Sequence, residues 1–346
     1  MSQVEASHVD RIIERHDHIS EEGLEAPHGL GLTSYAMTVL RHRVGKSTLA
    51  FNLAYHLSRA RSVLLADLSP QCDLTDTIMG EMTDRVTLFD ALEPATLGPA
   101  SGLIPEDISY RISSYCDAFK AGRLSYLIPG DAVLFSYAAD LYSRLAQVRD
   151  DTRSVEQILH SLKTIFRRES IEKRCELTLM DLDATYAGAT HLGWCAADAL
   201  ILPLRVENAS LEALEHTLDL LTHPDGVFLR WNQLVGETGA TKVAAIVINA
   251  VGTGRRATID DRTKRFLESV LKVIEPFAAH FVHEDLSDAI VLIEDFLSAG
   301  RISAARATPI AKLKVGSFHT VAGKRLQVNS STERYRRQLH YLASLL

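Results

Sequence analysis

The sequence predicts an α/β fold in which helices cover both faces of a doubly wound, mostly parallel sheet. Short apolar runs alternate with amphipathic helical patterns along most of the chain, as they do in open α/β sheets. The runs are apolar on both faces, which is typical of strands that helices cover on either side. The chain has 346 residues, which is enough for one large domain with additions.

The predicted elements follow one another in a regular order after residue 33. Strands are predicted at 34–40, 62–68, 124–130, 177–183, 199–206 and 243–251. The clearest helical patterns lie at 46–60, 210–221 and 261–274. A short amphipathic helix is also predicted within residues 4–19, where Val9, Ile12, Ile13 and Ile19 stand on a polar background.

This order divides the chain into three parts. Residues 1–31 are interpreted as an acidic arm and linker, with seven acids against two arginines and several helix-breaking residues near its end. Residues 32–315 form the main domain. Residues 316–346 form a C-terminal extension that ends in a helix.

Charge and hydropathy limit the function classes. The net charge is −7, of which the acidic arm accounts for −5. A body so close to neutral neither indicates nor excludes a local face for nucleic acid. No apolar run reaches membrane-spanning length and no signal-peptide pattern opens the chain, so we expect a cytoplasmic protein without membrane attachment. The four cysteines lie far apart and are interpreted as buried thiols rather than metal ligands.

The segment "RHRVGKST", residues 41–48, follows the first predicted strand and opens a helix. Gly45 permits a tight turn, Lys46 can reach phosphate oxygens, and Ser47 can bind Mg²⁺. The first amides of the helix would face the phosphates. The segment therefore predicts a nucleotide-binding loop, although its first half lacks glycine.

Two acids end neighbouring predicted strands. Asp67 follows "VLLA", and Asp181 follows "LTLM". Because ligands of open α/β sheets bind at the carboxyl ends of the strands, both acids are candidates for Mg²⁺ or for the attacking water. The hydrophobic run that ends in Asp181 is the pattern known as Walker B.

These segments together resemble the ParA/MinD family of P-loop ATPases, whose loop has the deviant pattern KGGxGK[ST]. Five further segments carry the resemblance: "VLLADLSPQCDLT", "YLIPGDAVLFSYAADL", "WCAADALILPLRVENASLEAL", "IVINAVGTGRR" and "DLSDA". They follow in the family's order over about residues 33–310. The "SPQ" after Asp67 favours the ParA side of the family.

The resemblance implies ATP and Mg²⁺ as cofactors and assigns roles to residues. The nucleotide would be bound by Arg43, Val44, Gly45, Lys46, Ser47, Thr48 and Asn249. Asn249 would contact the adenine base. Lys46, Asp67 and Arg41 are implied in catalysis, and Ser47, Asp67 and Asp181 in holding the metal.

Several positions depart from the family pattern. Arg41 replaces the signature lysine, and His42 and Arg43 replace two glycines. Ser69 replaces an acid that assists hydrolysis, and Asp183 replaces a proline. A serine cannot orient or deprotonate an attacking water as a carboxylate does. We therefore expect nucleotide binding to persist and hydrolysis to be weak.

The resemblance further implies a role in plasmid or chromosome partition or in cargo positioning. It implies a ParB-like adaptor and nucleoid association through non-specific DNA binding. It also implies a homodimer formed with ATP, a sandwich in which two subunits stack face to face and the residue at the signature lysine position, here Arg41, crosses to the phosphates of the other subunit. The candidate DNA-binding residues are Arg255, Arg256, Arg262, Lys264 and Arg265, with a second basic cluster at Arg334, Arg336 and Arg337.

Two alternative functions stay open. The first is a degenerate relative that serves as a regulator or interaction module with little or no ATPase activity. The second is a P-loop metabolic enzyme, which is the weaker alternative because the sequence holds no paired cysteines for a cluster and no second substrate motif.

Overall fold

A computed structural model describes residues 7–80, 84–186, 188–237, 239–252 and 259–346 of the protein. Eight strands in these residues form one sheet: β1 Ser34–Met37, β2 Val63–Leu68, β3 Tyr110–Arg111, β4 Tyr126–Ile128, β5 Leu177–Leu182, β6 Ala199–Arg205, β7 Lys242–Val251 and β8 Ile290–Glu294. Their order across the sheet is β3-β4-β2-β5-β1-β6-β7-β8. All neighbours are parallel except β3, which runs antiparallel to β4 at one edge. The predicted fold class and the six predicted strands are confirmed, while β3 and β8 were not predicted.

Helices flank the sheet on both faces. In chain order they are α1 His8–Glu22, α2 Lys46–Ser58, α3 Asp73–Met79, α4 Leu88–Leu97, α5 Tyr137–Gln147, α6 Thr152–Leu159, α7 Ser161–Lys173, α8 Gly188–Ala196, α9 Asn208–Thr222, α10 Val227–Leu234, α11 Asp261–Ile274, α12 Leu297–Ala305 and α13 Thr332–Leu345. Short 3₁₀ segments lie at Pro99–Ser101, Ile112–Ser114, Asp117–Ala121, Ala132–Phe135, Glu275–His280 and Ile310–Lys312.

The strands divide their side chains between two cores. In β1, Ala36 lies in the core under α4, α5, α7, α8, α9 and α11, whereas Tyr35 and Met37 lie in the core under α2, α12 and α13. Residues along β2 alternate in the same way. Since successive strand side chains point to opposite faces, a sheet covered on both sides needs apolar residues at every position. This requirement explains the continuous apolar runs in the sequence.

The helix predicted in the acidic arm forms as α1 and packs against α13 and β8. Its residues Ile12 and Ile19 are buried. Arg15 donates hydrogen bonds of 2.6 Å to the carbonyl oxygens of Ser287 and Ile290. The sequence analysis predicts that residues 1–31 are an arm separate from the main domain. In the structure, α1 of this arm packs against the main domain at β8.

The C-terminal extension contains a hairpin and the predicted final helix. The hairpin strands are β9 Phe318–Val321 and β10 Lys324–Gln327, and α13 then packs along α2. The chain end is tied to the sheet because the Tyr35 hydroxyl donates a hydrogen bond of 2.9 Å to the carbonyl oxygen of Leu346.

The second basic cluster of the sequence lies on α13 and serves the fold. Arg334 forms two hydrogen bonds, of 2.7 and 2.8 Å, with the carboxylate of Glu294. Arg336 donates to the carbonyl oxygen of Leu313, and Arg337 donates to carbonyl oxygens at the end of α1. The guanidinium groups are thus engaged within the chain, and the interpretation of this cluster as a DNA-binding face stays a prediction that the contacts do not favour.

Candidate functional site

The candidate site is a cavity of about 1350 Å³ at the carboxyl ends of the parallel strands. The loop between β1 and α2 forms one wall, and the segments after β2, β5, β6 and β7 contribute the others. The residues that line it include most of the predicted loop: Arg41, His42, Arg43, Gly45, Lys46, Ser47 and Thr48. The sheet topology therefore brings the predicted loop to the position where open α/β sheets bind ligands.

Gly45 occupies a backbone position that only glycine fits. Its φ angle is +91°, in the left-handed region that L-residues rarely adopt. A Cβ atom at this position would lie 2.5 Å from Nδ2 of Asn249. This amide group donates a hydrogen bond of 3.0 Å to the carbonyl oxygen of Val44. Asn249 of β7 therefore holds the turn of the loop, while its predicted contact to a base stays a prediction.

Lys46 extends back across the loop that precedes it. Its Nζ donates a hydrogen bond of 2.9 Å to the carbonyl oxygen of Arg41. Burial lowers the pKa of Lys46, and the carboxylates of Asp181 and Asp183 oppose this change. A partly desolvated cation at the start of a helix, held by a backbone carbonyl, is suited to bind phosphate oxygens.

Asp67 and Asp181 lie side by side on β2 and β5, where they are direct partners in the parallel register. The Asp67 carboxylate accepts hydrogen bonds from the Ser69 amide (3.0 Å) and from the amide (2.9 Å) and hydroxyl (2.7 Å) of Thr75. Its oxygens are thereby committed to the loop that follows β2. The predicted metal and catalytic roles of Asp67 would require some of these bonds to be exchanged.

Asp181 is different because both of its carboxylate oxygens are buried without a hydrogen-bond partner among the described residues. Burial raises the pKa of Asp181, the Asp67 charge adds to the rise, and the Ser47 hydroxyl and Lys46 ammonium oppose it. A buried carboxylate with free lone pairs beside a hydroxyl is a donor set that fits Mg²⁺. Of the two predicted acids, Asp181 is the better fit to the metal.

The first half of the loop has its own contacts. The guanidinium of Arg41 forms an ion pair with Glu207, with Nη2 3.0 Å from Oε1. Arg43 is exposed and adopts a φ angle of +61°. That conformation is unusual for a residue with a side chain. His42 is exposed at the edge of the cavity.

Ser69 also lines the cavity, at the position where the family has an acid. Its hydroxyl accepts a hydrogen bond of 3.3 Å from the amide of Gln71. Asp183 contributes a carboxylate to the same cavity and accepts a hydrogen bond of 2.5 Å from the Thr185 hydroxyl. Ser69 therefore lines the cavity but brings no negative charge.

The predicted DNA-binding residues are only partly placed. Arg255 and Arg256 lie outside the described residues. Lys264 and Arg265 are exposed on α11, and Arg262 donates a hydrogen bond of 2.7 Å to the carbonyl oxygen of Val206. Three acids flank these cations: Asp260 and Asp261 precede them, and Glu268 follows. The start of α11 thus carries charges of both signs.

Sequence reasoning assigned no role to two residues at the site. Glu207 pairs with Arg41, and the Arg205 guanidinium lies 3.5 Å from the carbonyl oxygen of Arg43. Both belong to the segment "LRVEN" at the end of β6. The sequence of this segment resembles the family pattern, but that pattern does not show which residues contact the loop.

Comparison with known proteins agrees with this geometry. The model of the CobQ/CobB/MinD/ParA nucleotide-binding domain matches residues 43–293. An ATP complex of a Cyanothece McdA variant superposes with a TM-score of 0.55 at 16% identity, covering 82% of this chain and 90% of that one. A putative plasmid partition protein from Borrelia burgdorferi B31 bound to AMPPNP superposes with a TM-score of 0.52 at 13% identity, covering 90% and 98%. No curated protein matches the chain.

The helices were also compared with the requirements of a membrane span. Within the described residues, none has both the length and the apolar character that crossing a bilayer requires.

Proposed function

Since the chain belongs to the CobQ/CobB/MinD/ParA family of nucleotide-binding domains, we propose that it binds ATP with Mg²⁺ as a ParA-like protein. Its role would lie in plasmid or chromosome partition or in the positioning of another cargo. The observation that carries the proposal is the buried Asp181 carboxylate, whose free lone pairs lie beside Ser47 and Lys46.

Each residue of the loop would have one task in binding. The α2 amides and Lys46 would bind the phosphates. Ser47 and Asp181 would hold Mg²⁺, which neutralises phosphate charge when it is bound. Asn249 would keep Gly45 in its turn, because its amide already bonds to the carbonyl oxygen of Val44.

Hydrolysis would be weak in this site. Ser69 lacks the charge to orient an attacking water, and Asp67 is committed to Ser69 and Thr75. Loss of one general base typically slows a reaction by about 10²–10⁴-fold. Asp183 is one of the carboxylates on the cavity wall, and it could partly replace the missing group.

A second function is favoured by one contact. Arg41, at the position of the signature lysine, is paired with Glu207 of its own chain. If that pair persists with ATP, the residue does not cross to a second subunit. The chain would then act as a regulator or interaction module with little or no ATPase activity.

The partners proposed for the first function are a ParB-like adaptor, a second copy of the chain when ATP is bound, and non-specific DNA. Nucleoid association in the cytoplasm would follow from DNA binding. These proposals come from the family and from the partition proteins among the structural neighbours.

Calorimetric titration with ATP and Mg²⁺ tests the nucleotide site. We expect binding by the wild type, a large loss in Lys46→Ala, and no change in Lys120→Ala, an exposed lysine paired with Asp117 elsewhere on the surface. Turnover measured with and without DNA then separates the two functions. Absence of any binding at millimolar ATP would leave only a nucleotide-free interaction module.

A further inference from the structure

The segment from residue 296 to residue 332 is basic, whereas the rest of the chain is acidic. It contains six cations and no acid: Arg301, Arg306, Lys312, Lys314, Lys324 and Arg325. Against the chain's net charge of −7, this segment contributes +6, which leaves −13 for all other residues. The basic segment, as we call residues 296–332, therefore stands out from an acidic molecule.

The structure leaves this charge available at the surface. All six side chains belong to exposed residues. None of them is paired with a carboxylate within the residues that the structure describes. This contrasts with the arginines of α13, whose guanidinium groups are engaged within the chain. Like charges held together without counter-charges repel one another, so a polyanion would stabilise them.

The hairpin of β9 and β10 carries two of the cations, Lys324 and Arg325, which point to opposite faces of a narrow ribbon. In its antiparallel register Arg325 is opposite Thr320, and Gln327 is opposite Phe318. These four residues share one face, because alternate residues of a strand point the same way, and all four are exposed. A two-stranded ribbon of this kind is narrow enough to enter the major groove of duplex DNA.

Arg325 is already positioned on this face. Its guanidinium carbon lies 4.1 Å from the centroid of the Phe318 ring, which is within the range of a cation–π contact. The stacked ring limits the rotamers of the arginine, so less entropy is lost when it binds a phosphate. The guanidinium lies over one face of the Phe318 ring and keeps a cation beside the aromatic side chain, which favours phosphate groups over the hydrocarbon of a bilayer.

The hairpin is attached to the wall of the nucleotide cavity. The Ser298 hydroxyl on α12 donates a hydrogen bond of 2.5 Å to the carbonyl oxygen of Gln327. Ser303 and Ala304 of the same helix line the cavity. The basic segment thus lies next to the candidate nucleotide site, and residues 296–332 begin beyond the matched family domain, which ends at residue 293.

We propose that the basic segment, with the β9–β10 hairpin at its centre, binds the phosphates of duplex DNA without sequence preference. The inference rests on the DNA-binding part of the proposed function and moves it from α11 to the C-terminal extension. α11 begins with acids and cations in equal number between residues 260 and 268, whereas the basic segment has no acid to repel a phosphate backbone.

Fluorescence anisotropy with a labelled duplex of arbitrary sequence tests the proposal in the full-length chain. We expect Lys324→Glu/Arg325→Glu to weaken binding by about tenfold or more at low salt. The slope of log affinity against log salt should become shallower by about 1 to 2, because Lys324 and Arg325 point to opposite faces of the ribbon and one or both would lose a phosphate contact. Both residues are exposed, so the thermal midpoint of the variant should match that of the wild type.

The matched control is Arg149→Glu/Arg153→Glu, which makes the same charge change at two exposed positions. If the control weakens binding as much as the hairpin variant, only net charge matters and the inference is overturned. It is also overturned if Arg262→Glu/Arg265→Glu abolishes binding while the hairpin variant does not, which would leave the proposed function intact. Wild-type binding to anionic phosphatidylserine vesicles but not to the duplex overturns it too. The ATP titration reports on the nucleotide site independently of all these results.

Discussion

The two halves of the loop at residues 41–48 differ in what holds them. The second half is held by specific contacts. Only glycine fits at position 45 beside Asn249, and Lys46 donates a hydrogen bond back to the carbonyl oxygen of Arg41. The first half carries large side chains at the glycine positions, and its Arg43 adopts a left-handed φ of +61°. One half keeps the features that bind phosphate, and the other has lost the small residues of the family.

This difference separates two properties that the family combines. Phosphate binding depends on backbone amides, a lysine and a metal site within one chain. The sandwich of two subunits depends on close approach of the first halves across a two-fold axis. A chain can therefore lose the second property and keep the first. Substitutions in either half, and at Ser69 on the cavity wall, should therefore affect nucleotide binding, hydrolysis and dimerisation separately.

The largest effect is expected from Lys46→Ala. Removing the ammonium takes away the phosphate counter-charge and leaves Asp181 and Asp183 without a cation beside them. We expect ATP affinity to fall about 100-fold or more, since charge-assisted bonds to phosphate are among the strongest. Calorimetry measures this loss, and unchanged affinity would mean that the second half of the loop is not the phosphate site.

Gly45→Ala should have the next largest effect. The new methyl group would meet Nδ2 of Asn249 at 2.5 Å in a backbone conformation with φ of +91°. We expect a loss of about 1–3 kcal/mol in the free energy of unfolding and a weaker ATP complex, measured by denaturant titration and calorimetry.

The matched control for this change is Gly31→Ala. Gly31 also has a positive φ, of +68°, but nothing lies within 4 Å of its added Cβ. It should lose stability through backbone strain alone and keep its ATP affinity. Equal effects of the two substitutions on ATP affinity would contradict the steric role of Asn249.

Much of this site could be predicted from the sequence, because the features concerned are local. A strand, a turn glycine and a helix that starts with Lys46 and Ser47 are neighbours in the chain, so their pattern fixes their geometry. Asp181 lies far along the chain, but its place at the end of an apolar run was enough to put it at the same edge of the sheet.

What the sequence could not show were contacts between distant segments. The pair Arg41–Glu207, the brace from Asn249 to Val44, and the docking of α1 on β8 and α13 join residues far apart in the chain. The arginines of α13 also had the pattern of a basic patch, and only their partners showed that they serve the fold. Strand β3 has two residues, which is too short for periodicity to detect.

Ser69→Asp should raise ATP turnover. The side chain faces the cavity, so a carboxylate there could orient the attacking water. We expect an increase of about tenfold, below the full range for a general base, because the neighbouring Asp67 charge would resist a third acid near Asp181.

Ser69→Asn is the matched control, as its side chain has nearly the same shape as that of the aspartate variant without the charge. Fast turnover in the wild type would show that another acid, with Asp183 the first candidate, already does this work.

The smallest effect is expected from His42→Gly/Arg43→Gly, which restores the family's glycines in the first half of the loop. In a two-fold sandwich, side chains close to the axis lie near their symmetry mates, so Arg41 and Arg43 would bring four arginines together if the first halves meet there. Triphosphates could neutralise these charges, but the exposed imidazole of His42 would still need space.

We therefore expect the wild type to be a monomer without nucleotide, and with ATP and Mg²⁺ to form no sandwich or a shifted one. The glycine variant should dimerise a few-fold more tightly because its loop needs less space between the subunits. Relief of the strained φ at position 43 should separately contribute about 1 kcal/mol to the free energy of unfolding. Light scattering with and without ATP and Mg²⁺ measures the difference, and a wild type that already dimerises as tightly as the variant would refute the steric argument.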